Sequence, residues 1–242
     1  ARGKLRFAGA DVVPGQVLAV GQISGLTYKP GTNESATAYA SFRFRVEDSS
    51  GLQSASGYRL NLDVTAVADV PNIAVSNTIS VAEDTSFNIG LSTSLVDVDS
   101  ETLSLGLQGL PAGARVTDGV SSATSSSVNI SGWNYGAITV TPAANSHIDF
   151  TLQVIATATE TDNGSQAQAT ESIAVQVDSV ADKPLLTTIP ASGDEDTAIS
   201  LQITAQLADV DGSEELTLSA SGVPVGARLG DGAQFAIASG AA

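Results

Sequence analysis

Glu83-Asp84-Thr85 followed by Asp97-Val98-Asp99 is written a second time as Glu195-Asp196-Thr197 followed by Asp209-Val210-Asp211, 112 residues further on. Repeats of this kind decide the architecture before any single element does. Working outward, Val64-Thr65-Ala66-Val67-Ala68-Asp69-Val70-Pro71 returns as Val177-Asp178-Ser179-Val180-Ala181-Asp182-Lys183-Pro184. Gly109-Leu110-Pro111-Ala112-Gly113-Ala114-Arg115 returns as Gly222-Val223-Pro224-Val225-Gly226-Ala227-Arg228. Leu26-Thr27-Tyr28-Lys29-Pro30 lines up with Ile138-Thr139-Val140-Thr141-Pro142 at the same offset. The chain therefore reads as an array: residues 1–68 as the C-terminal part of one repeat, 69–181 as a complete repeat, and 182–242 as the N-terminal part of a further one.

Inside each unit the apolar residues alternate. Phe42, Phe44 and Val46 interleave with Arg43 and Arg45, and Leu60, Leu62 and Val64 with Arg59, Asn61 and Asp63; Ile173, Val175 and Val177 follow the same period of two. That is the pattern of half-buried strands. Breaks fall at Pro30-Gly31-Thr32-Asn33, Asp48-Ser49-Ser50-Gly51, Pro111-Ala112-Gly113 and Asp162-Asn163-Gly164, residues that make turns. Short strands at this spacing predict an all-β fold, one β-sandwich per repeat of about 112 residues. Ser121 to Ser127 is of low complexity and reads as a loop. Aromatics are 5% of the chain and hydrophobic residues 42%, which suits thin aliphatic cores and disfavours long helices.

Ten Lys and Arg against 26 Asp and Glu give a net charge of −16, which repels nucleic acid and anionic membranes and attracts divalent cations. Residues 1–68 carry net +2 and residues 69–242 carry net −18, so the acid is concentrated where the repeated signature lies. Without Cys or Met, neither disulfides nor a thiolate metal site is available, and an extracellular fold needs another staple. No apolar run reaches the roughly 18 residues of a membrane span. The opening Ala1-Arg2-Gly3-Lys4 lacks a signal-peptide core, and the chain reads as a piece of something longer.

In an extended strand the side chains at i and i+2 share a face, so Asp97 and Asp99, like Asp209 and Asp211, present paired carboxylates in one direction. Two carboxylates about 4 Å apart repel by roughly 4 kcal/mol at an effective dielectric near 20. Either a cation sits between them or solvent holds them apart as ordinary turn residues. The duplication favours the cation, and Ca2+, which takes six to eight hard oxygens in flexible geometry, suits the donors. A folded sandwich is expected to gather Asp69, Glu83, Asp84, Asp97, Asp99 and Glu101 at one end. Asp182, Glu195, Asp196, Asp209, Asp211 and Glu214 form the matching set. The frame of Asp209-Val210-Asp211-Gly212-Ser213-Glu214 does not fit an EF-hand.

The order Ala-Asp-x-Pro, Glu-Asp-Thr, Asp-Val-Asp, then Gly-(Leu or Val)-Pro-x-Gly-Ala resembles the cadherin-like and bacterial immunoglobulin-like repeats of large RTX-type adhesins and biofilm surface proteins. The resemblance covers essentially the whole chain. It implies a secreted protein tethered to the bacterial cell surface, exported by a type 1 system, with calcium at or near the junctions. Asp69 precedes Asp97 by about the spacing of a cadherin linker. Ala68-Asp69-Val70-Pro71 departs from the fuller Asn-Asp-Asn of animal cadherins, which leaves the number of ions per junction open. Asp48 and Asp162 lie in late turns, where they could reach a junction or simply form the turn.

Enzymatic readings find little footing. His147 is the only histidine, and no phosphate loop, zinc spacing or nucleophile elbow is present. Carboxylate pairs alone can serve a glycosidase, but a catalytic pair has no reason to recur in each repeat while a structural ion site does. Trp133 and Tyr135 are candidates for stacking on a glycan, or for plugging the sandwich. Two other assemblies are open: contacts with neighbouring repeats, and a fibre in which residues 182–242 of one subunit are completed head to tail by residues 1–68 of the next.

Overall fold

The structure, a computed structural model, describes residues 3–230 and, in backbone, the strand Phe235–Ile237. Residues 72–178 hold two facing sheets. One runs in the order Ser127–Asn129, Glu101–Gln108, Phe150–Glu160, Gln166–Asp178, Thr78–Ala82. The other runs Ser122–Ala123, Arg115–Thr117, Thr139–Thr141, Phe87–Asn88. A short pair, Asn72–Ala74 with Ser92–Ser94, lies beside them. The pairing is antiparallel except that Thr78–Ala82 runs parallel to the end of Gln166–Asp178, with Ala82 opposite Asp178. This is an all-β, immunoglobulin-like sandwich, as the alternation predicts.

The period of two is what fills it. Leu152, Val154, Ala156 and Ala158 alternate with polar or less buried neighbours along one strand, and Ile173, Val175 and Val177 along the next; all seven are buried. They meet Ile89, Val116, Ile138 and Val140 from the other sheet and its connections, with Ile130 at the edge of their own sheet. Trp133 and Tyr135 are half-buried against this core, the tyrosine hydroxyl accepting the Gly132 N–H at 3.2 Å. The segment read as a loop, residues 121–127, instead carries the strand Ser122–Ala123 and the first residue of Ser127–Asn129; Ala123 packs on the core, and backbone pairing with Val116 outweighs the Ser-rich composition.

The repeated Gly-x-Pro-x-Gly-Ala motif is one turn made twice. The N–H of Ala114 donates to the Pro111 carbonyl at 3.1 Å and that of Ala227 to the Pro224 carbonyl at 3.0 Å. Gly109 has a φ of +85°, and a Cβ there would lie 2.2 Å from the Thr151 carbonyl oxygen, so only glycine fits.

On either side lie shorter pieces. Ala36–Phe44 pairs with Tyr58–Val64, and Lys4–Phe7 with Leu26–Lys29 and Ala10–Asp11. Leu185–Ile189 pairs with Gln202–Gln206, and Arg228–Gly230 with Phe235–Ile237. The only helical turns among the described residues are the 3-10 segments Val20–Gly25 and Tyr135–Ala137.

One carboxylate ties the loops at the edge of the sandwich. Asp118 accepts the N–H groups of Asn134 at 3.0 Å, Ser121 at 2.6 Å and Val120 at 2.9 Å, and these bonds hold its carboxyl below the ordinary aspartate value. A lowered folded value contributes stability above the unfolded pKa and loses it as pH falls through the folded one. Asp118→Asn should therefore be less stable than the wild type at neutral pH, with the gap closing in acid, as followed by the fluorescence of Trp133, the chain's one tryptophan.

Candidate metal centre

The alternation that fills the core also places two acids inside it. The inward row Leu152, Val154, Ala156, Ala158 ends on Glu160, and the row Leu107, Leu105, Leu103 ends on Glu101. Strand register sets Glu101 directly opposite Glu160. Glu101 is 6% and Glu160 4% exposed, and the Oε2 of each has no hydrogen-bond partner. Oε1 of Glu101 accepts the N–H of linker Asp69 at 2.6 Å. Buried carboxylates facing one another with unmet oxygens are costly unless a cation neutralises them. Glu160 and Asp69 line one cleft with Lys29, Glu34, Asp97 and Ser100.

Asp-Val-Asp is a turn, not a strand, which corrects the expectation of two side chains on one pleated face. Asp97 is buried and Asp99 exposed. Asp97 accepts the Asp99 N–H at 3.0 Å and the Ser100 hydroxyl at 2.8 Å, which hold its carboxyl below the ordinary range. The second copy closes the same turn, Asp209 accepting the Asp211 N–H at 2.8 Å and the Ser213 hydroxyl at 3.0 Å. Local hydrogen bonds of Asp to the backbone two residues on outcompete extension here.

The other end of the sandwich meets this second copy. Glu83, 3% exposed, accepts the Val180 N–H on Oε1 at 2.6 Å, while its Oε2 has no partner. Carboxylate oxygens of Glu83, Asp209 and Asp211 all lie within 4.8 Å of one another. Asp182 donates its N–H to Glu214 as Asp69 does to Glu101, and Glu214 Oε2 is again without a partner. Both junctions carry one further lock: Asn33 Nδ2 donates to the Val96 carbonyl at 3.3 Å, and Asn145 Nδ2, 112 positions on, donates to the Ala208 carbonyl at 3.1 Å. Both asparagines have positive φ, +55° and +51°.

His147 is specific to the second junction. Its N–H donates to Asp211 Oδ2 at 3.0 Å, and ring Nδ1 bonds the same oxygen. These bonds press the Asp211 carboxyl below its usual range, the backbone donor most of all, and the Asp211 carboxylate raises the imidazole above its ordinary value.

The two ends are distinct, contrary to the expectation that Glu83 and Asp84 gather with Asp69, Asp97 and Asp99. Gln166 pairs with Thr159, next to Glu160, and Asp178 pairs with Ala82, next to Glu83. The 13 residues between them span roughly 40 Å when extended. Because the Glu83 strand runs parallel to the last strand, Glu83 emerges at the C-terminal end and serves the next Asp-Val-Asp. Asp84 is exposed and accepts the Asn145 N–H at 3.0 Å. Glu195 and Asp196 are exposed and join no acidic group among the described residues. Glu160, Asn33, Asn145 and His147 are site residues that the motifs did not single out. Strand alternation through Ala156 and Ala158 carries Glu160 inward, and the 112-residue offset links the asparagines.

No family model and no curated protein matches the chain. Among solved structures, the chain is similar to Drosophila N-cadherin EC1-3, with 17% identity and a TM-score of 0.29, the match covering 66% of this chain and 50% of that one. The chain thus aligns with half the length of that structure, and the sandwich assignment rests on the strand pairing itself.

The donors at both junctions are all-oxygen apart from His147, and the unmet oxygens of Glu83, Glu101, Glu160 and Glu214 fit a hard cation. Glu160→Gln should raise the melting stability of chelated protein by about 1 kcal/mol, by removing one of two like charges placed opposite each other. The same change should weaken calcium binding in a calorimetric titration. Destabilisation in chelator would show that the bare pair is not repulsive.

Proposed function

We propose that the chain is a run of calcium-stiffened β-sandwich extender repeats from a bacterial surface adhesin or extracellular fibre, serving cell adhesion and biofilm formation. The repeats are bounded as 1–68, 69–181 and 182–242. The observation that carries this reading is the duplicated junction: a linker Asp N–H on a glutamate whose other oxygen is buried without a partner, once at Asp69 and Glu101 and again at Asp182 and Glu214. Sequence spends two sets of acids on the same place in successive repeats, which is the signature of a structural ion and not of a catalytic pair.

The mechanism is mechanical. Glu101 and Glu160 with Asp69 and Asp97 hold one ion, and Glu83 with Asp209, Asp211 and Glu214 hold another. Each joins a linker to the ends of sandwiches that would otherwise repel. Neighbouring repeats are then the principal partners, and the chain acts outside the cell, where calcium is abundant. A surface glycan or another cell is the target of the whole adhesin. Trp133 and Tyr135 are partly buried and pack against the core.

For an extracellular site with Kd near about 10⁻³ M in about 10⁻² M calcium, linkage contributes roughly 1.4 kcal/mol per site. Thermal unfolding in calcium and in chelator should differ by that order for each junction. Identical melting, with no heat of binding in calorimetry, would defeat the proposal.

A further inference from the structure

Both junctions carry the linker-aspartate and asparagine hydrogen bonds, and one of the positions at which they differ has a chemical consequence. At the second, His147 presents imidazole Nδ1 to Asp211 Oδ2; 112 residues earlier the matching residue is Ser35, which has no nitrogen donor. The His147 partner Asp211 belongs to a group with Glu83 and Asp209 whose carboxylate oxygens lie mutually within 4.8 Å. The independent mark of a ligand is Glu83 Oε2, buried with its residue at 3% exposure and bonded to nothing.

We propose that this junction is a mixed nitrogen–oxygen site that takes Zn2+ or a similar first-row transition ion, with His147 Nδ1, Glu83, Asp209 and Asp211 as ligands, while the Asp69–Glu101–Glu160 junction, with oxygen donors alone, favours hard cations. The proposal rests on the junctions being cation sites and adds the class of ion that the second one selects. Imidazole suits zinc, copper and nickel, whereas carboxylate and carbonyl oxygens suit calcium and magnesium. One imidazole and three carboxylates complete a tetrahedral zinc shell at about 2.0–2.2 Å. Donors around such an ion stand about 3.3 Å apart, so the three carboxylates, already within 4.8 Å of one another, reach it by small rotations, and His147, outside that group but bonded through Nδ1 to Asp211 Oδ2, joins them by turning its ring. The His147 side chain is 41% exposed, which leaves the ring free to turn from Asp211 toward the ion. Coordination through Nδ1 takes the ring as its Nε2–H tautomer: a neutral ring moves its Nδ1 proton to Nε2 by way of solvent, an imidazolium releases it, and in either case Asp211 Oδ2 is freed for the metal.

The test uses the untagged full chain, in which His147 is the only histidine and its ring resonances are unambiguous. Zn2+ and Ca2+ are titrated separately into wild type and His147→Ser, with Trp133 fluorescence confirming that both are folded. The expected result is a shift of the His147 ring signals on adding Zn2+, and a Zn2+ affinity lower by at least about tenfold in His147→Ser with Ca2+ affinity little changed. Co2+ as a spectroscopic probe should give the intense visible bands of a tetrahedral nitrogen–oxygen site in wild type only. Ring signals that ignore Zn2+, or Zn2+ affinity equal in the two proteins, would overturn the nitrogen ligand while leaving calcium binding intact. Absence of binding by both ions would overturn this inference together with the calcium junction.

Discussion

The structure depends on carboxylates placed where the core's own alternation forces them inward. Glu101 and Glu160 end two rows of apolar residues, and register sets them face to face. Nothing in the strand geometry lets them escape to solvent without turning Leu105, Leu107, Val154 and Ala156 outward as well, because a one-residue slip inverts the entire strand. The sandwich therefore presents a fixed negative pair at its N-terminal end. The linker backbone, through the Asp69 N–H, is drawn into it.

At the opposite end, parallel pairing of Thr78–Ala82 with Gln166–Asp178 delivers Glu83 to the point where the linker leaves, and the Val180 N–H closes on it. The sandwich is thus acidic at both ends for different topological reasons. At its C-terminal end Glu83 meets the acids of the second Asp-Val-Asp across the linker. Hydrogen bonds from Asn33 and Asn145 give the stack a register. In the function proposed above, a cation supplies what those bonds do not, the charge that turns mutual repulsion into a joint.

Much of this was legible in the residues alone. The all-β class is written in the alternation: Ile173, Val175 and Val177 bury one face of their strand, and Phe42, Phe44, Leu60 and Leu62 also lie in paired strands although Phe44 and Leu60 stay exposed there and Val46 falls outside the strand. The site was legible as composition and less so as geometry. Asp97 and Asp99 looked like a pleated pair because spacing alone cannot show that Asp97 bonds the backbone of Asp99 and closes a turn. Glu83 looked like a partner of Asp97 because the motif order is linear, whereas a parallel strand of 13 residues separates them. Glu160 carries no motif; only its register opposite Glu101 gives it meaning.

The central claim is that cations rigidify the junctions, and small-angle X-ray scattering of the chain with calcium and with chelator tests it most directly. The account predicts a stiff, extended particle in calcium, whose scattering becomes that of flexibly linked units when the ion is withdrawn. Superimposable profiles in the two conditions would contradict it.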